Sequence, residues 1–180
     1  MLKLVSVISL YFMLSSTIPV AAKESFTTGP VFKEYGENVL IENGLPKASS
    51  QRFKVVFDIS DQSPAGQANR QFNSVARFIN MHVRAGVEKE NIDLAMVVHG
   101  KASFDLMNDE AHMKKFETAN GSTRLIKLLS KFGVKVILCG QSARYHGIEK
   151  SDLHQEVQIS LSAMTANALL QQQGYTLNPF

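Results

Sequence analysis

The chain has 180 residues, 19 Lys and Arg against 16 Asp and Glu, and a formal net charge of +3. It has no dense Lys/Arg tract, so nucleic-acid binding finds no support. Its one cysteine, Cys139, excludes both an intrachain disulfide and a self-contained dithiol mechanism.

Residues 1–22 read as a signal peptide. Lys3 supplies the positive start, Leu4 to Leu14 a short apolar run, and Val20-Ala21-Ala22 a small-residue cleavage site. The apolar run is too short for a comfortable membrane span. Cleavage after Ala22 is expected to deliver a periplasmic or secreted chain of residues 23–180, with no membrane attachment afterwards. Residues 23–50 form a polar lead-in punctuated by Gly29-Pro30, Gly36, Asn43-Gly44 and Pro46. A short hairpin around Val39 to Ile41 fits this segment, which is expected to drape over the domain or to make contacts.

From residue 51 to 180 the pattern is that of one α/β domain. Phe53 to Ile59 is a strand rich in β-branched and aromatic residues. Ser63-Pro64 reads as the start of a helix. Ala68, Phe72, Val75, Ala76, Ile79 and Val83 make its apolar face, and Gly86 closes it. Ile92 to Val98 is a second strand, running straight into His99-Gly100. A short helix over 101–107 and a polar one over 109–117 follow, the latter with His112 and Lys114-Lys115 on a solvated face. Asn120-Gly121-Ser122 starts a helix with Leu125, Ile126, Leu128, Leu129 and Phe132 inward, and Gly133 stops it. Val134 to Cys139 is the third strand, followed by a helical turn from Gln141 to Tyr145. A turn over 151–156, a strand over 157–161, a helix over 163–173 and a last strand over 175–178 complete the domain. Strands alternating with helices imply a three-layer fold with a mainly parallel sheet of about five strands.

Three strand ends carry the candidate chemistry. If the first three strands are parallel neighbours, Ser60/Asp61, His99/Gly100 and Cys139/Gly140 share one edge of the sheet, where open α/β sheets build their sites. Cys139 then precedes a helix N-terminus, whose free N–H groups favour a thiolate. His99 is the candidate base for the thiol. Gly100, Gly140, Gln141, Ser142 and Arg144 are the candidate ligand-binding residues, with Arg144 placed to steer an anionic sulfur species. The same residues admit a plainer reading, with Cys139 as apolar packing, His99 satisfied by backbone and Arg144 exposed on its helix. Asp58 is either a polar site residue or the cap of the following turn. No His-x-x-x-His pair, Gly-x-Gly-x-x-Gly, P-loop or Gly-x-Ser-x-Gly elbow occurs, so no metal and no cofactor is expected.

The segment Phe-Gly-Val-Lys-Val-Ile-Leu-Cys-Gly-Gln-Ser-Ala-Arg-Tyr-His-Gly-Ile (residues 132–148) resembles the cysteine strand and following helix of the DsrE/DsrF-like family. This family includes TusD-like sulfur carriers and YchN-like proteins. The Val-Val-His-Gly turn and the tail Leu-Ser-Ala-Met-Thr-Ala with Gln-Gln-Gly-Tyr extend the resemblance over roughly residues 53 to 180. It implies a flavodoxin-like domain that assembles as a homotrimer or hexamer. It also implies a cysteine, here Cys139, that accepts sulfur as a persulfide and exchanges it with a donor or acceptor protein. The function expected is therefore an exported, persulfide-carrying protein of the sulfur-relay type, a sulfurtransferase in the broad sense. The alternative is a non-catalytic oligomeric module that binds a small ligand or serves assembly, with a structural cysteine. Compact family members lack the lead-in.

Overall fold

Five strands form one wholly parallel sheet: β1 (Phe53–Ile59), β2 (Ile92–Val98), β3 (Lys135–Cys139), β4 (Val157–Ser160) and β5 (Thr176–Asn178). They lie in the order β4-β3-β2-β1-β5. Ile59 pairs with Val98, and Val98 with Leu138. This register brings the carboxyl ends of the three central strands level. The chain is a computed structural model describing residues 25–41 and 48–179. The predicted signal peptide, its cleavage point after Ala22, and residues 42–47 of the lead-in lie outside the described residues. Among the described residues, no helix is long and apolar enough to cross a membrane.

Alternation along each strand divides the core in two, because successive side chains point to opposite faces of a sheet. Val55, Phe57 and Ile59 join Leu94, Met96 and Val98 on one face. Helices α1 (Arg70–Arg84) and α3 (Thr123–Phe132) cover that face with Phe72, Val75, Ile79, Leu125, Ile126 and Leu129, all fully buried. Burying a side chain of this kind stabilises the fold by roughly 1.5–3 kcal/mol. The other face is thinner. Val56, Ala95 and Val97 pack against Ala166 and Leu170 of α5 (Ala163–Gln172) and against Tyr175. Helices α2 (Asp109–Phe116) and α4 (Gly140–His146) add Ala111, Phe116 and Ala143 to the α1/α3 side of the core.

Several local expectations are corrected by partners distant in sequence. The first helix begins at Arg70, not at Ser63-Pro64. Asn69 is its N-cap, its side chain accepting from the N–H groups of Gln71 and Phe72. Ser63 is occupied elsewhere: its N–H and hydroxyl both donate to buried Asp105, at 2.8 and 2.7 Å. The stretch expected as a short helix at 101–107 is a 3-10 helix over Gly100–Leu106, and the turn expected at 151–156 is a 3-10 turn over Lys150–Asp152. His112 is buried rather than solvated, because its ring nitrogen bonds the carbonyl of Thr118.

The described part of the lead-in is strapped to α1. Its antiparallel bridge joins Thr27 and Asn38, while the hairpin expected around residues 39–41 runs into residues 42–47, outside the described residues. Buried Asn80 accepts from the N–H groups of Val31 and Phe32 and donates to the carbonyls of Phe32, Tyr35 and Gly36. Gly36 lies so close to α1 that a Cβ there would stand 2.5 Å from the nitrogen of Arg77.

Candidate functional site

Asp58, His99 and Cys139 sit at or just beyond the carboxyl ends of β1, β2 and β3. Strand alternation turns Asp58 to the face that α5 covers, opposite Phe57 and Ile59. All three side chains line one cleft of about 300 Å³, together with Gln141 and Ser142 of α4 and Ser162, Ala163, Met164 and Asn167 at the start of α5. The site is thus a sheet edge roofed by two helix N-termini.

Cys139 is the N-cap of α4 and is 5% exposed. Its Sγ accepts the N–H of Ser142 at 3.5 Å. Burial by itself pushes the thiol up. The hydroxyl and N–H of Ser142, with the N–H groups of Ala163 and Gln141, outweigh burial and hold the thiol below its ordinary value. Hydrogen bonds to the charged form favour it, and here the donors come from the first turns of two helices. Ser142 is itself held in place: its Oγ accepts the N–H of Gly100 at 3.0 Å, which leaves the hydroxyl proton for the sulfur.

Gly140 makes the convergence of the two helices sterically feasible. A Cβ on it would stand 2.6 Å from the carbonyl oxygen of Ser160 and 3.3 Å from that of Leu161. The absent side chain lets α4 approach the end of β4. Ser162 then caps α5, its Oγ accepting the N–H of Thr165 at 3.0 Å.

His99 does not bond the thiol. Its Nε2 lies 3.2 Å from Oδ2 of Asp58, whose Oδ1 accepts the amide of Asn167 at 2.7 Å. An ionised carboxylate only accepts, so Nε2 carries the proton in the neutral ring and Nδ1 is left with the lone pair. Asp58 and His99 are both about one-third exposed.

The remaining candidates separate. Gln141 and Ser142 border the thiol cleft and also an adjoining depression of about 710 Å³ that contains Gly100, Lys101, Arg144 and Tyr145. Arg144 is 89% exposed, 4.0 Å from Glu149. Its place is therefore the outer depression rather than the thiol cleft. Another cleft of about 690 Å³ lies near the start of α1 and the C-terminal tail; it has Arg70 and Arg77 but neither thiol nor histidine. Among the described residues, no group of three or more His, Cys, Asp or Glu side chains is placed to hold a metal ion. Sequence reasoning did not find Asn167, Ser162 or Ala163, which reach the site only through tertiary packing. Asp58 was legible as a polar residue at a strand end, but not as the partner of His99.

A family model described as the DsrE/DsrF-like family matches residues 54–179. The chain belongs to the DsrE/DsrF-like family. Two solved structures share its fold. One is MTH1491 from Methanobacterium thermoautotrophicum, described as a protein of unknown function. It is 17% identical, with a TM-score of 0.55 over 71% of this chain and 99% of that one. The other is the ychN protein from E. coli, 20% identical with a TM-score of 0.51 over 71% of this chain and 100% of that one. No curated protein matches the chain. The flavodoxin-like, three-layer architecture of this DsrE-like chain is thus that of its solved neighbours.

Proposed function

We propose that this DsrE-like protein carries sulfur on Cys139. One observation supports this above the others: the sulfur caps the first turn of α4, accepting the N–H of Ser142 at 3.5 Å, and lines a cleft of about 300 Å³ with the start of α5. The family, which includes sulfur carriers acting through a cysteine in this strand, supports the same reading. In the loading step the Cys139 thiolate attacks the outer, sulfane sulfur of a donor. The Sγ–S bond forms, the donor's own sulfur bond breaks, and the leaving group departs with the electron pair. With thiosulfate as donor, sulfite leaves. Intact mass spectrometry after thiosulfate treatment should show a gain of about 32 Da, one sulfur atom, that dithiothreitol removes and Cys139→Ser abolishes. A chain that labels readily with iodoacetamide but takes up no sulfur from thiosulfate or from a low-molecular-weight persulfide sinks the proposal.

The 5% exposure of Cys139 favours a second reading, a packing cysteine in a binding or assembly module. Under it, Cys139→Ser costs stability and leaves the cellular role intact. We further infer an exported protein, cleaved after Ala22, that works as a homo-oligomer, a trimer or hexamer, with a donor or acceptor protein. The sequence of residues 1–22 supports the first inference. The exposed Tyr145, Leu161 and Met164 around the site support the second, at 86%, 71% and 80% exposure. An exported form that still begins at Met1, or light scattering that reports a strict monomer, would remove the corresponding inference.

A further inference from the structure

The thiol already has its donors, yet the same cleft holds a second functional pair that the loading step leaves unused. His99 turns its Nε2 to Asp58, so in the neutral ring the lone pair is on Nδ1, and Asn167 fixes that carboxylate from the other side. The amide orientation of Asn167 follows from its partner: only the –NH₂ can face a carboxylate. Its Oδ1 is buried and has no hydrogen-bond partner among the described residues. A buried acceptor of this kind costs free energy unless something donates to it. The cleft that holds the sulfur therefore also holds a histidine oriented by a carboxylate that is itself fixed.

We propose that His99 is the general base for the discharge of sulfur to an acceptor thiol, with Asp58 and Asn167 as positioning residues. This rests on the sulfur-carrier reading and names the substrate class of its second half: a thiol that arrives protonated. The loaded persulfide takes a proton from solvent to give Cys139–S–SH, and in the discharge step the acceptor R–SH passes its proton to Nδ1 of His99. Its sulfur bonds the sulfane sulfur, the Sγ–S bond breaks, and the electron pair leaves on Sγ as the Cys139 thiolate. The product is R–S–SH, and His99 returns the proton to Sγ or to solvent. One sulfane sulfur changes carrier, with no net oxidation. The thiolate-stabilising donors of α4 and α5 then serve Cys139 as leaving group, while the dyad serves the incoming thiol.

The test uses the full chain loaded from thiosulfate and follows loss of the sulfur adduct by intact mass with two acceptors. 2-Mercaptoethanol is protonated at neutral pH and needs a base; thionitrobenzoate is already ionised and does not. The readout is the ratio of the two discharge rates. His99→Gln should lower the aliphatic-to-aromatic ratio by at least about tenfold, the low side of what general-base catalysis supplies. Asp58→Asn should lower it similarly, since an amide facing Nε2 donates to it and moves the ring proton to Nδ1. Asn167→Ala should lower it less. An unchanged ratio in the loaded variants overturns the proposal, as does an equal slowing with both acceptors. A wild-type chain that never loads instead overturns the sulfur-carrier reading.

Discussion

Replacing Ser142 with Ala removes the hydroxyl that donates to the Cys139 sulfur and that accepts the N–H of Gly100. The Ser142 N–H stays in place, as do those of Gln141 and Ala163. A hydrogen bond to a charged acceptor contributes about 1.5–3 kcal/mol. Because the cleft is open on one side, the lower figure applies, and about 1.4 kcal/mol is tenfold in the thiol–thiolate equilibrium. The thiol loses its downward displacement in part and titrates at higher pH. Below the wild-type midpoint, the variant holds about one-tenth as much thiolate, but each thiolate is about threefold more nucleophilic, from a Brønsted slope of about 0.4–0.5. Iodoacetamide labelling of Ser142→Ala should therefore be about three- to fourfold slower than wild type at low pH and about threefold faster at high pH, so the two pH–rate curves cross. The N–H of Gly100 loses its acceptor as well, at a cost of about 1–3 kcal/mol, which urea denaturation would register. Curves that coincide, or that separate by the same factor at every pH, would refute the claim that the Ser142 hydroxyl stabilises the thiolate.

Three further outcomes follow from the fold. Gly140→Ala forces a Cβ to within 2.6 Å of the Ser160 carbonyl, so α4 must back away; a loss of about 1–3 kcal/mol in urea denaturation and slower alkylation of Cys139 are expected together. Asn80→Ala leaves the N–H groups of Val31 and Phe32 without their acceptor. Stability should drop by about 2–4 kcal/mol, and limited proteolysis should begin within residues 25–41. Asp93 accepts from Lys135 at 2.8 Å and from the Tyr175 hydroxyl at 2.6 Å. Burial alone would raise its carboxyl, but those donors and the charges of Lys135 and Lys54 hold it below the ordinary value. Its stabilising contribution is present above the free carboxyl value of about 3.9 and is lost as pH falls through the lower folded value. The urea midpoint of Asp93→Asn should accordingly fall less steeply than that of wild type across this acid range.

Much of the fold was legible because apolar periodicity is a local property. The runs Phe53–Ile59, Ile92–Val98 and Val134–Cys139 define three strands whatever surrounds them, and the spacing from Phe72 to Val83 marks one face of a helix. The start of that helix was not legible, since Ser63 and Asn69 are both good caps in isolation. Asp105, some forty residues onward, binds Ser63 and leaves the capping to Asn69. His112 was misplaced for a similar reason: its partner, the carbonyl of Thr118, lies beyond the end of its own helix, past the left-handed residue Glu117.

At the site, the amino-acid sequence alone determined that one thiol closes a buried strand ahead of a helical turn, and that a histidine follows a neighbouring strand. The tertiary structure decided what surrounds them. Parallel register aligned the strand ends, and α5 brought the Ala163 N–H to the sulfur and Asn167 to Asp58. It also gave His99 to Asp58 rather than to Cys139. Strand and helix follow from neighbours a few residues away, whereas a hydrogen bond across the sheet depends on which side chains packing leaves within about 3 Å of each other, and residues more than a hundred positions apart meet only there.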